Sequence, residues 1–230
     1  MKVTIIHGNA RHGSTRHCTE LLTEALGHYD TVETAEFTLP KDMPHFCNGC
    51  FSCFYNGEHT CPHAAAMLPI TEAILDADVV ILTSPVYALD VTGGMKALLD
   101  HLCYMWMSHR PNPKMFNKVG VTISTTAGAG LGHTSKTMRS SLKFWGVKRL
   151  YSFKGRVSAM KWSDVSPKIQ AKVKRDTAKL ARKIARDVRN IGKVPAPLFR
   201  GMVFKAMTGM MKKNTWNERD RKHWEANGWI

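Results

Sequence analysis

Apolar positions recur in two alternating rhythms over the first 160 residues. Val3–Ile6 is a short β-branched run that stops at His7-Gly8. A helix follows, with Leu21, Leu22, Ala25 and Leu26 on one face. Thr31–Phe37 reads as a second strand, with Val32, Ala35 and Phe37 as its apolar positions. Residues 38–62 break the pattern with Pro40, Pro44 and Pro62, four cysteines, Gly49 and Gly57. Helical spacing returns over Ala64–Asp76. Val79–Leu82 is a continuous apolar run, the mark of a strand buried on both faces, and it ends at Thr83-Ser84-Pro85. Thr92–Trp106 reads as a helix, Val119–Ser124 as a strand, Thr134–Phe144 as a helix and Lys148–Phe153 as a fifth strand. Strands alternating with helices predict a parallel sheet covered on both faces. Such sheets bind ligands beyond the carboxyl ends of the strands, where strand order reverses.

Asp164–Asn190 carries the clearest helical pattern. Ser166-Pro167 offers an N-cap and a proline at the first helical position. Ile169, Val173, Leu180, Ile184, Val188 and Ile191 fall on one stripe, lysines and arginines crowd the rest, and Gly192 ends it. Pro195 and Pro197 open a tail. The expected organisation is one domain over residues 1–192, carrying the cysteine-rich insertion at 38–62, and a basic Met/Trp-rich tail over 193–230.

Charge changes this picture little. The chain of 230 residues has 33 Lys+Arg against 18 Asp+Glu, a net +15. That figure points to nucleic acid, but its distribution does not. Residues 1–140 hold 10 basic and 12 acidic residues, residues 141–193 hold 16 and 3, and residues 194–230 hold 7 and 3. The basic residues of the long helix carry no interleaved aromatics for base stacking, so no nucleic-acid partner is expected. Hydrophobic content of 43% argues against disorder. No run of about 18 apolar residues exists to cross a membrane. The opening apolar run is too short for a signal peptide, so a reducing cytoplasm is expected.

Three loops leave predicted strands. In Gly8-Asn9-Ala10-Arg11-His12-Gly13-Ser14-Thr15, a helix start offers unpaired N–H groups, Ser14 and Thr15 offer hydroxyls, and Arg11 offers a charge. That is a phosphate cradle, though not a Walker A loop or a dinucleotide fingerprint. Ser84-Pro85-Val86-Tyr87 puts an aromatic ring at a strand end. Thr125-Thr126-Ala127-Gly128-Ala129-Gly130 is small enough to approach a flat ligand closely. Each alone is as well explained as a turn.

Together, the loops and the stretch Ala77-Asp78-Val79-Val80-Ile81-Leu82-Thr83-Ser84-Pro85-Val86-Tyr87, followed by Gly94-Met95-Lys96-Ala97-Leu98-Leu99-Asp100, resemble the flavodoxin-like NAD(P)H-dependent FMN reductases. The resemblance covers residues 1–155. It implies an α/β three-layer sandwich with a five-stranded parallel sheet of order 2-1-3-4-5, followed here by a C-terminal helical tail. It also implies FMN as cofactor. Asn9, Arg11, Gly13, Ser14 and Thr15 would hold the phosphate, and Ser84, Pro85, Val86 and Tyr87 would border the isoalloxazine. Thr125, Thr126, Ala127 and Gly128 would close its other edge. Asn9 stands where that family usually has Ser. NAD(P)H is the implied donor, a small molecule or a protein the acceptor, and a homodimer or homotetramer the assembly. No side chain is expected to act as a catalytic acid or base, because the cofactor carries the chemistry.

Of six cysteines, Cys18 and Cys103 stand alone and read as small buried residues. Cys47, Cys50, Cys53 and Cys61 form C-x2-C-x2-C-x7-C-P. Four soft ligands this close in a reducing compartment favour metal over disulfides. The compact spacing is typical of an iron–sulfur site, whereas zinc prefers paired halves that His59 or His63 would complete. The residues alone leave a [4Fe–4S] cluster, zinc and no metal all open. The spacing is also similar to the cysteine motif of the iron–sulfur flavoproteins, a branch of the same superfamily. That similarity implies an electron-transfer protein with FMN and a [4Fe–4S] cluster as the alternative function.

In the tail, Leu198, Phe199, Met202, Val203, Ala206, Met207, Met210 and Met211 form one wide face of a helix, followed by Trp216, Trp224 and Trp229. Such a segment docks on its own body or a partner subunit, caps the flavin, or lies at a membrane surface.

Overall fold

In the computed structural model, which describes residues 1–157, 159 and 162–230, the predicted alternation is present. β1 (Lys2–His7) leads into α1 (Ser14–Gly27) and β2 (Glu33–Thr38), then the short α2 (Ser52–Tyr55) and α3 (Ala64–Asp76). β3 (Val79–Pro85), α4 (Gly93–His101), β4 (Val119–Thr126), α5 (Leu131–Phe144) and β5 (Arg149–Arg156) follow, then α6 (Pro167–Arg189), α7 (Leu198–Lys212) and α8 (Glu218–Ala226). The five strands form one parallel sheet of order β2-β1-β3-β4-β5. The order reverses between β1 and β3, so the ends of those strands open the crevice where ligands of such sheets sit.

β3 and β4 are buried along nearly their whole length, as continuous apolar runs require. One core layer packs Val3, Ile5, Ile81, Val121 and Ile123 against α1 and α6. The other packs Ile6, Val80 and Leu82 against α3, α4 and α5. On α6, Val173, Leu180 and Ile184 are buried while Ile169 and Val188 lie at the core margin; Ile191 falls beyond the helix end, in a 3-10 turn over Ile191–Lys193, and also packs at that margin.

Several boundaries differ from the periodic reading. β2 is an edge strand and its Ala35 is exposed. The helix expected over Thr92–Trp106 stops at His101 and continues as a 3-10 turn over Leu102–Met105. Just beyond that turn the backbone bonds elsewhere: Met107 N–H donates to Phe144 O at 2.8 Å, and Arg110 N–H reaches back to Tyr104 O at 3.0 Å. Ser166 sits at the N-cap of α6, but its side chain makes no cap bond. The wide apolar face of α7 splits. Phe199, Val203 and Met207 turn partly inward and Met211 is buried, but Leu198, Met202 and Met210 are 87%, 71% and 61% exposed.

The tail lies on its own body. Phe199 meets Phe144 and Phe204 meets Phe116 edge-on, with ring centroids 5.4 and 5.3 Å apart. Trp224 is fully buried and its Nε1–H donates to His109 O at 2.7 Å. Among the described residues, no helix is long and apolar enough to cross a membrane.

Candidate functional site

The three loops converge where the strand order reverses. Gly8 N–H donates to Thr83 O at 2.7 Å, joining the first loop to β3. A Cβ at Gly8 would lie 2.6 Å from that same carbonyl oxygen, so only glycine fits. The hydroxyls of Thr15 and Thr125 share a buried hydrogen bond of 2.6 Å, joining the first loop to the third. Val86 N–H donates to Thr125 O at 3.0 Å, joining the second to the third. Gly130, at φ +91°, lets the third loop pass Val86, whose Cγ1 would lie 2.6 Å from any added Cβ.

These loops enclose a cavity of about 410 Å³. Arg11, Gly13, Ser14 and Thr15 line it from the first loop, Pro85, Val86 and Tyr87 from the second, and Thr125, Thr126 and Ala127 from the third. Val157 and Ala159, which the loop motifs did not mark, complete the wall. Asn9 stands at the rim, its amide 3.4 Å from the Tyr87 hydroxyl. Ser84 is buried and faces inward: its hydroxyl accepts from Thr92 N–H at 3.0 Å and donates to Pro85 O at 2.8 Å. Gly128 donates its N–H to the Thr126 hydroxyl within the third loop.

The first-loop end of the cavity presents hydrogen-bond donors without protein partners. The Ser14 hydroxyl is buried with no hydrogen-bond partner. Gly13 supplies no side-chain cap to α1, and its first turn holds no acidic residue. A helix start with uncapped N–H groups and an orphan hydroxyl is complementary to a phosphate. At the other end, Tyr87 is half exposed. It is held by a two-residue turn in which Tyr87 and Asp90 exchange backbone hydrogen bonds of 2.8 and 3.0 Å. Ala88 and Leu89 take φ of +48° and +68° in this turn, where Asn-Gly is the relaxed choice. Backbone strain of this kind concentrates at binding loops.

The cysteine-rich segment forms a second pocket. Cys47, Cys50, Cys53 and Cys61 line one cavity of about 300 Å³, and no cysteine among the described residues is in a disulfide. Gly49, Phe51 and Gly57 adopt φ of +63°, +59° and +104°, which wraps the segment around it. Burial pushes the Cys53 thiol up to about 11, neighbouring cysteines add to the rise, and Arg110 opposes it. Cys103 lines the same cavity, its thiol pushed up to about 12 by burial. His63 and His101 face each other there, Nδ1 to Nε2 at 2.9 Å, and His101 Nδ1 lies 2.7 Å from Ala97 O. Cys61, His63 and His101 bring their ligand atoms within 4.8 Å of one another. Cys103 and His101 are about forty residues from the motif, so only the fold brings them in. Cys18 is buried, as its isolation predicted.

In metal-free protein, iodoacetamide at pH 8 is expected to label exposed Cys47 and Cys50 first. Cys53 should lag roughly 100-fold, because its thiolate is scarce. Peptide mapping by mass spectrometry reads the order, and equal rates would contradict it.

The tail anchors this segment. Arg110 donates to the backbone oxygens of Cys53 and Phe54, and to Asp220 Oδ1 at 2.7 Å. Asp220 is fully buried and also takes His109 Nδ1 at 2.8 Å. Asn217 caps α8 by accepting from Asp220 N–H.

Residues 1–157 match the NADPH-dependent FMN reductase family. The chain belongs to this family. An iron–sulfur flavoprotein of Archaeoglobus fulgidus is 36% identical over 103 residues, 44% of each chain. One from Methanocaldococcus jannaschii is 29% identical over 138 residues, covering 57% of this chain and 67% of that one. The chain thus spans less than half of the Archaeoglobus relative. An FMN-dependent NADH-azoreductase from Bacillus anthracis, solved with FMN, superposes with a TM-score of 0.62 at 11% identity, over 80% of this chain and all of that one. The FMN reductase fold is therefore the frame on which both pockets stand.

Proposed function

We propose that the chain is an FMN-dependent oxidoreductase that takes electrons from NAD(P)H and passes them to a small-molecule or protein acceptor. The convergence of the three loops around the orphan Ser14 hydroxyl carries this reading. Ser14, Thr15, Arg11, Gly13 and the first N–H groups of α1 bind the phosphate, and Asn9 closes the rim. Pro85, Val86 and Tyr87 border one side of the ring system. Thr125, Thr126, Ala127 and Gly128 border the other, in a segment whose small side chains allow close approach. Ser84 positions the second loop through its bonds to Thr92 and Pro85. FMN supplies the acceptance of a hydride and its release as one or two electrons. No acid or base of this chain is required in that step.

A second reading is supported by the shared cysteine pocket and the two iron–sulfur flavoprotein relatives. Here Cys47, Cys50, Cys53 and Cys61 hold a [4Fe–4S] cluster, and the protein transfers electrons one at a time. Four free thiols on one cavity suit such a group. Further parts of the proposal are the division at residues 192/193, a cytoplasmic location, and a homodimer or homotetramer. The exposed Leu198, Met202 and Met210 are apolar surface available to such an assembly.

One anaerobic experiment tests both readings. Protein purified without oxygen should be yellow, with flavin absorbance that bleaches on addition of NADPH or NADH. Iron and sulfide near four per chain would establish the second reading, and substoichiometric iron would sink it. Colourless protein that takes up no FMN would refute the first.

A further inference from the structure

We propose that the cleft between α5, the edge strand β5 and the end of α6 is a binding site for a small polyphosphate, a ligand with two or more linked phosphate groups. The cleft encloses about 530 Å³. Lys136, Arg139 and Lys143 line it from α5, Lys148 from the residue before β5, Arg149 from the start of β5, and Arg186 from α6. Positions 136, 139 and 143 share one helical face, so one stripe of α5 delivers three of the charges.

Among the described residues, Asp187 is the only carboxylate lining the cleft, and it is already engaged. It is buried and accepts from the Tyr151 hydroxyl at 2.6 Å and from Arg186 Nε at 2.9 Å, with Arg149 Nε at 3.4 Å. The remaining cations face neutral partners. Arg139 donates to Ser152 Oγ at 2.8 Å. Lys148 is only 9% exposed, and its Nζ lies 3.3 Å from Asn117 Oδ1. Lys143 sits 3.5 Å from the centroid of the Phe199 ring. Among the described residues, Lys136, Arg139, Lys143 and Lys148 pair with no carboxylate.

A solvated basic face spreads its charges outward into water. Here six cations line one concavity, where their potentials add. The repulsion is relieved when an anion enters. Three guanidinium groups offer the planar fork that matches phosphate oxygens. The volume is that of a small-molecule site, whereas a protein partner would need roughly 1,000 Å² or more of matching surface.

The cleft is separate from the flavin cavity. Arg149 pairs with Val119, whereas Thr125 at the flavin cavity pairs with Gly155. Six residues along a strand place the two sites about 20 Å apart. A polyphosphate bound here is therefore not the hydride donor reacting with the flavin. Pro197 lines the cleft and Phe199 stacks on Lys143, so the ligand also meets the root of the tail.

Calorimetric titration of the flavin-saturated protein tests the proposal, with tripolyphosphate, ATP and citrate as separate ligands at physiological salt. Tripolyphosphate and ATP should bind and citrate should not. Equal affinities for the first two assign recognition to the phosphate chain, and tighter ATP binding adds the nucleoside. Lys136→Glu should weaken binding by about tenfold or more, and Lys136→Glu with Arg139→Gln further still. Ser14→Ala, in the other pocket, should leave this binding unchanged. Circular dichroism of each variant confirms the fold. The proposal is overturned by absent binding of both phosphates, by affinity insensitive to the two cleft variants, by loss in Ser14→Ala, or by citrate binding equally well.

Discussion

Gly8→Ala is expected to lower FMN affinity by roughly 100-fold and to cost about 1–3 kcal/mol of stability. The added methyl would stand 2.6 Å from Thr83 O and 3.3 Å from Ser84 Cα. Both atoms belong to the backbone of β3, so no rotamer change relieves the clash. The end of β1 must move away, breaking the hydrogen bond from Gly8 N–H to Thr83 O. The first loop then shifts relative to the other two, and Ser14 and the start of α1 leave their place beside the ring-binding loops. A flavin fluorescence titration reads the affinity, and a denaturant midpoint reads the stability. Unchanged affinity would show that the first loop does not carry the phosphate.

Asp220→Ala is expected to cost about 3–5 kcal/mol, or about 10 °C in Tm. Asp220 is fully buried and Arg110 is 7% exposed. Removing the carboxylate leaves that guanidinium buried, with Glu58 at 3.4 Å as its remaining acidic partner. His109 loses its partner as well. The effect should extend beyond stability, because Arg110 also holds the carbonyls of Cys53 and Phe54. Limited trypsin digestion should cut the variant faster at exposed Lys212 and Lys213, and urea denaturation reads the loss. A loss typical of an exposed ion pair, under about 1 kcal/mol, would show that the tail is not clamped through Asp220.

The sheet was legible in the chain wherever both faces of a strand are buried. Val79–Leu82 announces β3 because a doubly buried strand must be apolar at every position. The signal is weaker at the sheet edges. β2 carries exposed Glu33, Thr34, Ala35 and Glu36, so periodicity placed its start too early. β5 runs on to Arg156 because Gly155 and Arg156 find partners in Thr125 and Thr126; nothing in Lys-Gly-Arg signals a strand. The third loop was marked by its small residues, yet Val157 and Ala159 entered the cavity unannounced. Their place depends on how far β5 extends beside β4.

Local spacing therefore determined the alternation of strands and helices, the three loops at the strand ends and the compact cysteine motif. These are properties of neighbours two to seven positions apart, which periodicity and motif spacing record. Packing alone decided which distant groups meet. It placed Cys103 and His101 beside the cysteine motif, and joined Arg110 to Asp220 across 110 positions. It also gathered cations of α5, β5 and α6 into one cleft. Buried polar and charged groups pair according to three-dimensional proximity, and no one-dimensional pattern encodes that distance. The net charge of +15 follows the same division: its amount is a property of composition, and the gathering of six of its cations along one cleft is a property of the fold.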